Sequence, residues 1–111
     1  METMERQEGM NAAVRRLVDF YQPEKIYLFG STARGEDRPD SDLDFLVVVP
    51  DDQPPDRFWG VYQKLCGIGI SVDVVAFRHR DFEARRDWLM SLPAIALREG
   101  KVLYDAQAKA A

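Results

Sequence analysis

Apolar residues in this chain recur either at helical spacing or in continuous runs, and these two patterns predict its helices and strands. The first helical pattern begins near Asn11, a good capping residue, and ends before Pro23. Its apolar face consists of Val14, Leu17, Val18 and Tyr21. A second helix is predicted over 56–66 and is followed by two glycines. Its apolar face consists of Phe58, Val61, Tyr62 and Leu65.

Continuous apolar runs predict four strands, over 25–29, 42–49, 70–77 and 101–105. The second run is apolar at almost every position after its start, which is typical of a strand covered on both faces. Shorter helices are expected over 31–34, 81–90 and 93–99, and the Ala-rich tail over 106–111 is expected to fray. Phe82 and Leu89 are the apolar residues of the helix over 81–90. The order of elements indicates an α/β or α+β domain with helices packed on a small sheet.

Composition places the chain among ordinary globular proteins. Its 111 residues suit a single domain over 1–111, and 46% apolar residues are enough for a packed core. No apolar run approaches the length of a membrane span. The single cysteine, Cys66, excludes an internal disulfide, suits a reducing cytoplasm and is expected to pack in the core. A net charge of −4 disfavours direct, non-specific binding to nucleic acids.

Two carboxylates stand at the start of the second predicted strand, where Asp is normally rare. Because side chains alternate along a strand, Asp42 and Asp44 point to the same face, with Cα atoms roughly 6.6 Å apart. Two such charges repel unless a cation lies between them. Mg²⁺ binds through one or two carboxylates together with substrate phosphates. The pair is therefore either a metal site or two solvated residues at a strand edge.

A glycine-led turn follows the first predicted strand. Gly30 has no side chain to obstruct an anion, and Ser31 can cap the helix predicted behind it while its hydroxyl and the free N–H groups bind a phosphate. Arg34 either contacts nucleotide phosphates or ties the loop to Glu36 or Asp40. The turn would face a metal held at the start of the second strand.

Asp73 interrupts the third predicted strand, between two valines. A buried and uncompensated charge at such a position is costly. If the third strand lies beside the second, Asp73 reaches the same metal site as the other two carboxylates. Three carboxylates can hold two Mg²⁺ ions, which clamp the attacking and leaving oxygens of a phosphoryl displacement. The alternative is a structural ion pair with a basic residue.

The segment "GSTARGEDRPDSDLD" contains Gly-Ser, ten further residues and Asp-x-Asp. It resembles the minimal nucleotidyltransferase (MNT) branch of the DNA polymerase beta-like nucleotidyltransferase superfamily, and the resemblance covers roughly 25–77 and 94–104. It implies a small mixed sheet of three or four strands flanked by helices. Matched residue by residue, it implies a phosphate-binding turn at Gly30 and Ser31, a metal-binding and catalytic pair at Asp42 and Asp44, and a third carboxylate at Asp73 that binds metal and is often the base.

The resemblance also implies substrates and a partner. ATP and two Mg²⁺ ions are expected, and the chain has no room for the acceptor domain of larger superfamily members. Many minimal members are antitoxins that transfer AMP from ATP onto a HEPN-domain RNase toxin. We therefore expect a hetero-oligomer with such a toxin. The alternatives are an acceptor that is a small molecule or an RNA end, and an antitoxin that acts by binding without catalysis.

Overall fold

The computed structural model describes residues 2–30, 35, 42–53 and 60–110. The helices in these ranges are α1 (Glu2–Tyr21), α2 (Val61–Lys64), α3 (His79–Arg85), α4 (Leu92–Glu99) and α5 (Ala106–Ala110). The strands are β1 (Lys25–Phe29), β2 (Leu43–Val49), β3 (Val72–Arg78) and β4 (Lys101–Asp105). The short helix predicted over 31–34 lies outside the described residues. β1 and β4 have the predicted bounds.

The four strands form one mixed sheet in the order β3–β2–β1–β4. β2 is parallel to β3 and antiparallel to β1, and β1 is antiparallel to β4. This sheet, flanked by helices, confirms the predicted fold class. β2 is therefore an inner strand, hydrogen-bonded to β1 on one side and to β3 on the other.

An apolar cluster lies on each face of the sheet. The first cluster joins α1 and α2 to the sheet and includes Leu17, Tyr21, Phe45, Val47 and Leu65. The second joins α3 and α4 to the opposite face and includes Tyr27, Leu46, Val48, Phe82 and Ala96. Every residue of β2 is buried except Asp44, which is half-buried. The prediction that this strand is covered on both faces is therefore confirmed.

The first helix begins earlier than predicted. α1 starts at Glu2 because residues 2–10 lack proline and are rich in Glu, Met, Gln and Arg, which favour a helix. Asn11 therefore lies inside the helix, where its Oδ1 accepts a hydrogen bond from Gln7 Nε2 at 3.1 Å. The predicted apolar face packs against the sheet as expected, through Val14, Leu17, Val18 and Tyr21.

The prediction of a helix over 81–90 is wrong at both ends. α3 starts at His79, where the backbone N–H of Arg80 donates to Asp51 Oδ1 at 2.8 Å. The helix ends at Arg85, whose carbonyl oxygen accepts from Ser91 Oγ at 2.6 Å. Ser91 Oγ also accepts from the first turn of α4, so one side chain ends α3 and caps the next helix. Leu89, expected to be an apolar residue of this helix, is 71% exposed.

The helix predicted over 56–66 falls only partly within the described residues, and there it is limited to α2. At the end of α2, the guanidinium of Arg16 donates to the carbonyl oxygens of Lys64 at 3.2 Å and Cys66 at 2.7 Å. These bonds satisfy carbonyl groups at the helix end. Cys66 itself is exposed, so the expectation that it packs in the core is wrong.

Two smaller corrections concern the C-terminal half. β3 occupies Val72–Arg78 rather than 70–77, because residues 65–70 form turns and bends before the pairing with β2 begins. The tail expected to fray begins as α5, since Asp105 Oδ1 accepts from the backbone N–H of Gln107 at 2.9 Å and so caps the first turn.

Candidate active site

Strand pairing places two of the predicted site residues, Asp44 and Asp73, side by side in one row across the sheet. Asp44 of β2 pairs with Phe29, the last residue of β1, and on its other side with Asp73 of β3. Neighbouring strands lie about 4.8 Å apart, and paired residues direct their side chains to the same face. Asp44 shares its face with Leu46 and hence with α3 and α4. Asp44 and Asp73 are therefore neighbours on that face.

The start of the parallel pair is fixed by one additional hydrogen bond. The backbone N–H of Leu43 donates to the carbonyl oxygen of Ser71 at 3.0 Å, just before β3 begins. This bond holds the first residues of the two strands in register. The alignment of Asp44 with Asp73 therefore does not depend on either side chain.

The three predicted carboxylates differ in exposure. Asp42 immediately precedes β2 and is exposed, Asp44 is half-buried, and Asp73 is exposed. Within 2–30, 35, 42–53 and 60–110, no three Asp, Glu, His or Cys side chains converge on one point in the way a metal site requires. The structure thus brings Asp44 and Asp73 together by strand pairing and places Asp42 at the open end. Their metal-binding and catalytic roles stay predictions.

Gly30 places its backbone directly against the Asp44 carboxylate. Its φ of +79° is in the left-handed region, which a glycine adopts without steric cost. A Cβ built on Gly30 would collide with Asp44 Oδ2 and approach Asp44 Cγ to 3.3 Å. A residue other than glycine would therefore have to displace the carboxylate. The predicted phosphate turn and the predicted metal ligand are thus in direct contact.

This arrangement fits a magnesium ion bound together with a phosphate. Carboxylate oxygens are hard ligands of the kind Mg²⁺ prefers, and substrate phosphates complete its shell. The Asp44 carboxylate offers such oxygens and lies against Gly30. Because Gly30 has no Cβ, no side chain at this position stands between the carboxylate and an approaching anion. Asp73 adds a second carboxylate on the adjacent strand. Ser31 and Arg34, the other predicted nucleotide-binding residues, lie outside the described residues.

Sequence reasoning missed one residue beside this row. Tyr62 of α2 was expected on the buried face of its helix, yet it is 54% exposed. Its hydroxyl accepts a hydrogen bond from the backbone N–H of Val74 at 3.1 Å, at the free edge of β3 and one residue after Asp73. A tyrosine combines an apolar ring with a polar hydroxyl that can remain in water. A tyrosine in an apolar pattern can therefore lie at the surface, and this property was the signal that the sequence offered.

A cavity of about 380 Å³ lies at the opposite end of the sheet from the row of carboxylates. Lys25, at the start of β1, and Val48, near the end of β2, contribute to its lining. Lys25 is four residues from Phe29, or about 13 Å along an extended strand. Above Lys25, His79 Nδ1 lies 2.7 Å from Glu24 Oε1 at the rim. The predicted chemistry is therefore not in this cavity.

None of the helices in the described part of the chain is both long enough and apolar enough to span a bilayer.

The chain matches the family model of the nucleotidyltransferase domain over residues 10–95. Because this match spans most of the chain, the protein belongs to the nucleotidyltransferase domain family. Among curated proteins, none gives a significant match to the sequence.

Solved structures agree with this assignment. One chain of a crystallised toxin–antitoxin with AMP-PNP is 27% identical, with a TM-score of 0.63 over 89% of this chain and 75% of that one. A chain of the complex between tri-AMPylated Shewanella oneidensis HEPN toxin and MNT antitoxin is 23% identical, with a TM-score of 0.58 over 99% and 77%. A putative nucleotidyltransferase from Sulfolobus solfataricus, 19% identical, has a TM-score of 0.54 over 90% and 89%.

The two structures below 25% identity show the shared fold alone, whereas the first also belongs to a toxin–antitoxin pair with a bound nucleotide analogue. Together with the family match, the likeness to the first structure confirms the predicted resemblance to nucleotidyltransferases of toxin–antitoxin pairs.

Proposed function

We propose that this protein is a magnesium-dependent nucleotidyltransferase that transfers AMP from ATP to a hydroxyl group of a partner protein. The partner we propose is a HEPN-domain RNase toxin, and the protein is its antitoxin. The observation that carries the proposal is the contact between Gly30 and Asp44, with Asp73 paired on the next strand. The likeness to a toxin–antitoxin with AMP-PNP supports the nucleotide and the partner class.

In this proposal each residue has a separate task. Asp42 and Asp44 would hold Mg²⁺, which supplies charge neutralisation at the phosphates when bound. Gly30 would let the triphosphate approach Asp44 closely, since no Cβ intervenes. Asp73 would accept the proton of the acceptor hydroxyl, a task that requires hydrogen-bond reach, directly or through one water.

Nucleotide binding is tested by calorimetry of ATP with Mg²⁺ and with a chelator. We expect Mg²⁺ to strengthen ATP binding, and Asp44→Asn to abolish that difference. Asp19→Asn is a matched control because Asp19 is an exposed residue of α1, which packs on the other face of the sheet. Equal ATP affinity with and without Mg²⁺ in the parental protein would contradict the metal site.

The partner is tested by incubating the protein with its HEPN toxin, ATP and Mg²⁺. Each transferred AMP should add about 329 Da to the toxin in an intact-mass spectrum, since ATP loses pyrophosphate. The Asp42→Asn, Asp44→Asn double variant should still bind the toxin but add no mass. Full neutralisation of the toxin by the parental protein without any mass increment would favour an antitoxin that acts by binding alone.

A further inference from the structure

Gly100 lies where α4 ends, in a backbone conformation that does not itself require glycine. Its φ of −81° and ψ of 168° are extended, and any residue can adopt them. Its backbone N–H donates to the carbonyl oxygen of Ala96 at 2.8 Å, which closes the last turn of α4 before β4 begins. The need for a glycine at this position therefore comes from the atoms around it.

These surroundings leave no room for a side chain. A Cβ built on Gly100 would lie 2.5 Å from the carbonyl oxygen of Ala96 and 2.9 Å from that of Leu28. Both are backbone atoms, so no change of rotamer relieves the collision. Ala96 is fully buried and Leu28 is 3% exposed, and the two belong to packed clusters on opposite faces of the sheet. Glycine thus sets how closely the end of α4 approaches β1.

The carbonyl group of Leu28 leads directly to the Gly30 turn. Leu28 pairs with Lys101, the first residue of β4. Its carbonyl carbon belongs to the rigid peptide unit that joins it to Phe29, and Phe29 pairs with Asp44. Gly30 follows and lies against the Asp44 carboxylate. The last residues of β1 are therefore held between the start of β4 on one side and Asp44 on the other.

We propose that Gly100 is a positioning residue for nucleotide transfer, a proposal that rests on the nucleotidyltransferase activity proposed above. Its close approach to Leu28 fixes the Gly30 turn against Asp44. With a Cβ present, moving the Leu28 oxygen from 2.9 Å to an ordinary contact distance takes about 0.5 Å, and the turn moves with it. A misplacement of 1 Å can cost about 10²-fold in rate, so half that shift should cost about 10-fold.

The purely structural alternative is that Gly100 serves only the packing of α4 and β4. In the described sheet β4 is an edge strand that pairs with β1 alone. If α4 and β4 moved outward together, they would relieve the collision without moving β1. Stability would then fall while the site stayed unchanged. The two interpretations differ in the position of the Gly30 turn.

The experiment compares Gly100→Ala with the parental protein. Amide spectra by NMR are recorded without nucleotide, followed by thermal unfolding and by single-turnover AMP transfer to the toxin at a temperature where both proteins are folded. We expect a shifted Gly30 amide resonance and transfer slowed by about 10-fold. Ala96→Gly is the matched control, because it weakens the same turn of α4 without adding an atom against β1. It should lower Tm but keep the parental Gly30 resonance and transfer rate.

The outcomes separate this proposal from the proposed function. If Gly100→Ala melts at a lower temperature but keeps the parental transfer rate, the positioning role is overturned and the proposed function stands. Equal losses of transfer in Gly100→Ala and Ala96→Gly attribute the effect to stability and also overturn it. A parental protein that shows neither Mg²⁺-dependent ATP binding nor transfer overturns both proposals.

A measurement on the parental protein keeps the proposal testable if Gly100→Ala does not fold. Because coupling between two positions is reciprocal, saturating Mg-ATP should shift the Gly100 amide resonance. The amide of His79, at the opposite end of the sheet from the carboxylates, should keep its resonance. A Gly100 resonance that does not respond to bound Mg-ATP overturns the positioning role.

Discussion

Substituting Gly30 with alanine tests whether the backbone turn and the Asp44 carboxylate must be in contact. The new Cβ has two separate effects. It places a side chain at a φ of +79°, which disfavours every residue except glycine. It also collides with Asp44 Oδ2, so the carboxylate has to move.

The two effects have different magnitudes and appear in different measurements. A left-handed backbone conformation costs a non-glycine residue about 1–2 kcal/mol of stability. For a chain of this length, that loss lowers Tm by roughly 4–8 °C, at about 4 °C per kcal/mol. To restore ordinary contact distances the Asp44 carboxylate must shift by roughly 1 Å, and a misplacement of this size can cost about 10²-fold in rate.

Gly67→Ala is the matched control. Gly67 has a φ of +86°, and a Cβ built on it meets no atom within 4 Å. It therefore has the same backbone cost without any collision. Both variants should melt several degrees below the parental protein, and only Gly30→Ala should also lose Mg²⁺-dependent ATP binding and AMP transfer.

The assay combines thermal unfolding with calorimetry and single-turnover transfer at a temperature where all three proteins are folded. If Gly30→Ala binds Mg-ATP and transfers AMP at parental levels, the contact with Asp44 has no role in the chemistry. If Gly67→Ala loses AMP transfer as well, the lower stability explains the loss without the collision at Asp44. That result would also contradict a role for the contact between Gly30 and Asp44.

Three further predictions follow from single residues. Burial, and secondly the charge of Tyr62, raise the pKa of Tyr21 from 10.0 to about 12. Stability should therefore be fully present below pH 10 and fall by about 2 kcal/mol as the pH rises to 12, since the unfolded state releases this proton first. Urea titrations across this range should show the fall, and Tyr21→Phe should lessen it. Phe82→Ala removes a ring that is 4% exposed in the cluster under α3 and α4, and it should lower the free energy of unfolding by about 3–5 kcal/mol in a denaturant titration. Leu89→Ala, at a position that is 71% exposed, should lower it by less than about 0.5 kcal/mol. Asp73→Asn should leave Mg-ATP affinity near the parental value and slow single-turnover transfer by about 10²–10⁴-fold, the usual contribution of a positioned base; an unchanged rate would reduce Asp73 to a structural charge.

Local signals were sufficient to give the bounds of two of the four strands. The bounds of β1 and β4 follow from short apolar runs that end at Gly30 or begin after Gly100, and both strands were predicted correctly. The fold class followed from the order of these elements. Periodicity could not give the strand order β3–β2–β1–β4, because the pairing of β2 with β3 depends on contacts between distant segments.

Helix ends were less predictable because they depend on side chains from elsewhere. The start of α3 is fixed by Asp51, whose carboxylate accepts a hydrogen bond from the backbone N–H of Arg80. The two residues are 29 positions apart in the sequence. Nothing in the local sequence reveals such a partner. The end of α3 was more accessible, since Ser91 followed by Pro93 is a recognisable helix start and therefore marks where the previous helix must already have ended.

The candidate site was predictable in its parts and not in its geometry. The spacing of Gly30 and Ser31 from Asp42 and Asp44 indicated a phosphate turn and a metal pair. The sequence could not show that Gly30 abuts Asp44, because that contact depends on the antiparallel pairing of β1 with β2. The exposed hydroxyl of Tyr62 was missed for a similar reason, since the apolar pattern of α2 predicted burial.

The position of Asp44 explains why a carboxylate is tolerated in an inner strand. Two and four residues later on the same face, Leu46 and Val48 are buried under α3 and α4, whereas Asp44 lies near the start of the strand and is only half-buried. A carboxylate there keeps part of its hydration, so the cost of burying a charge is reduced. The apolar residues behind it hold the strand that orients it. Substitutions at Phe82 should therefore alter mainly stability, and those at Gly30 mainly chemistry, so the two measurements can distinguish a damaged fold from a damaged site.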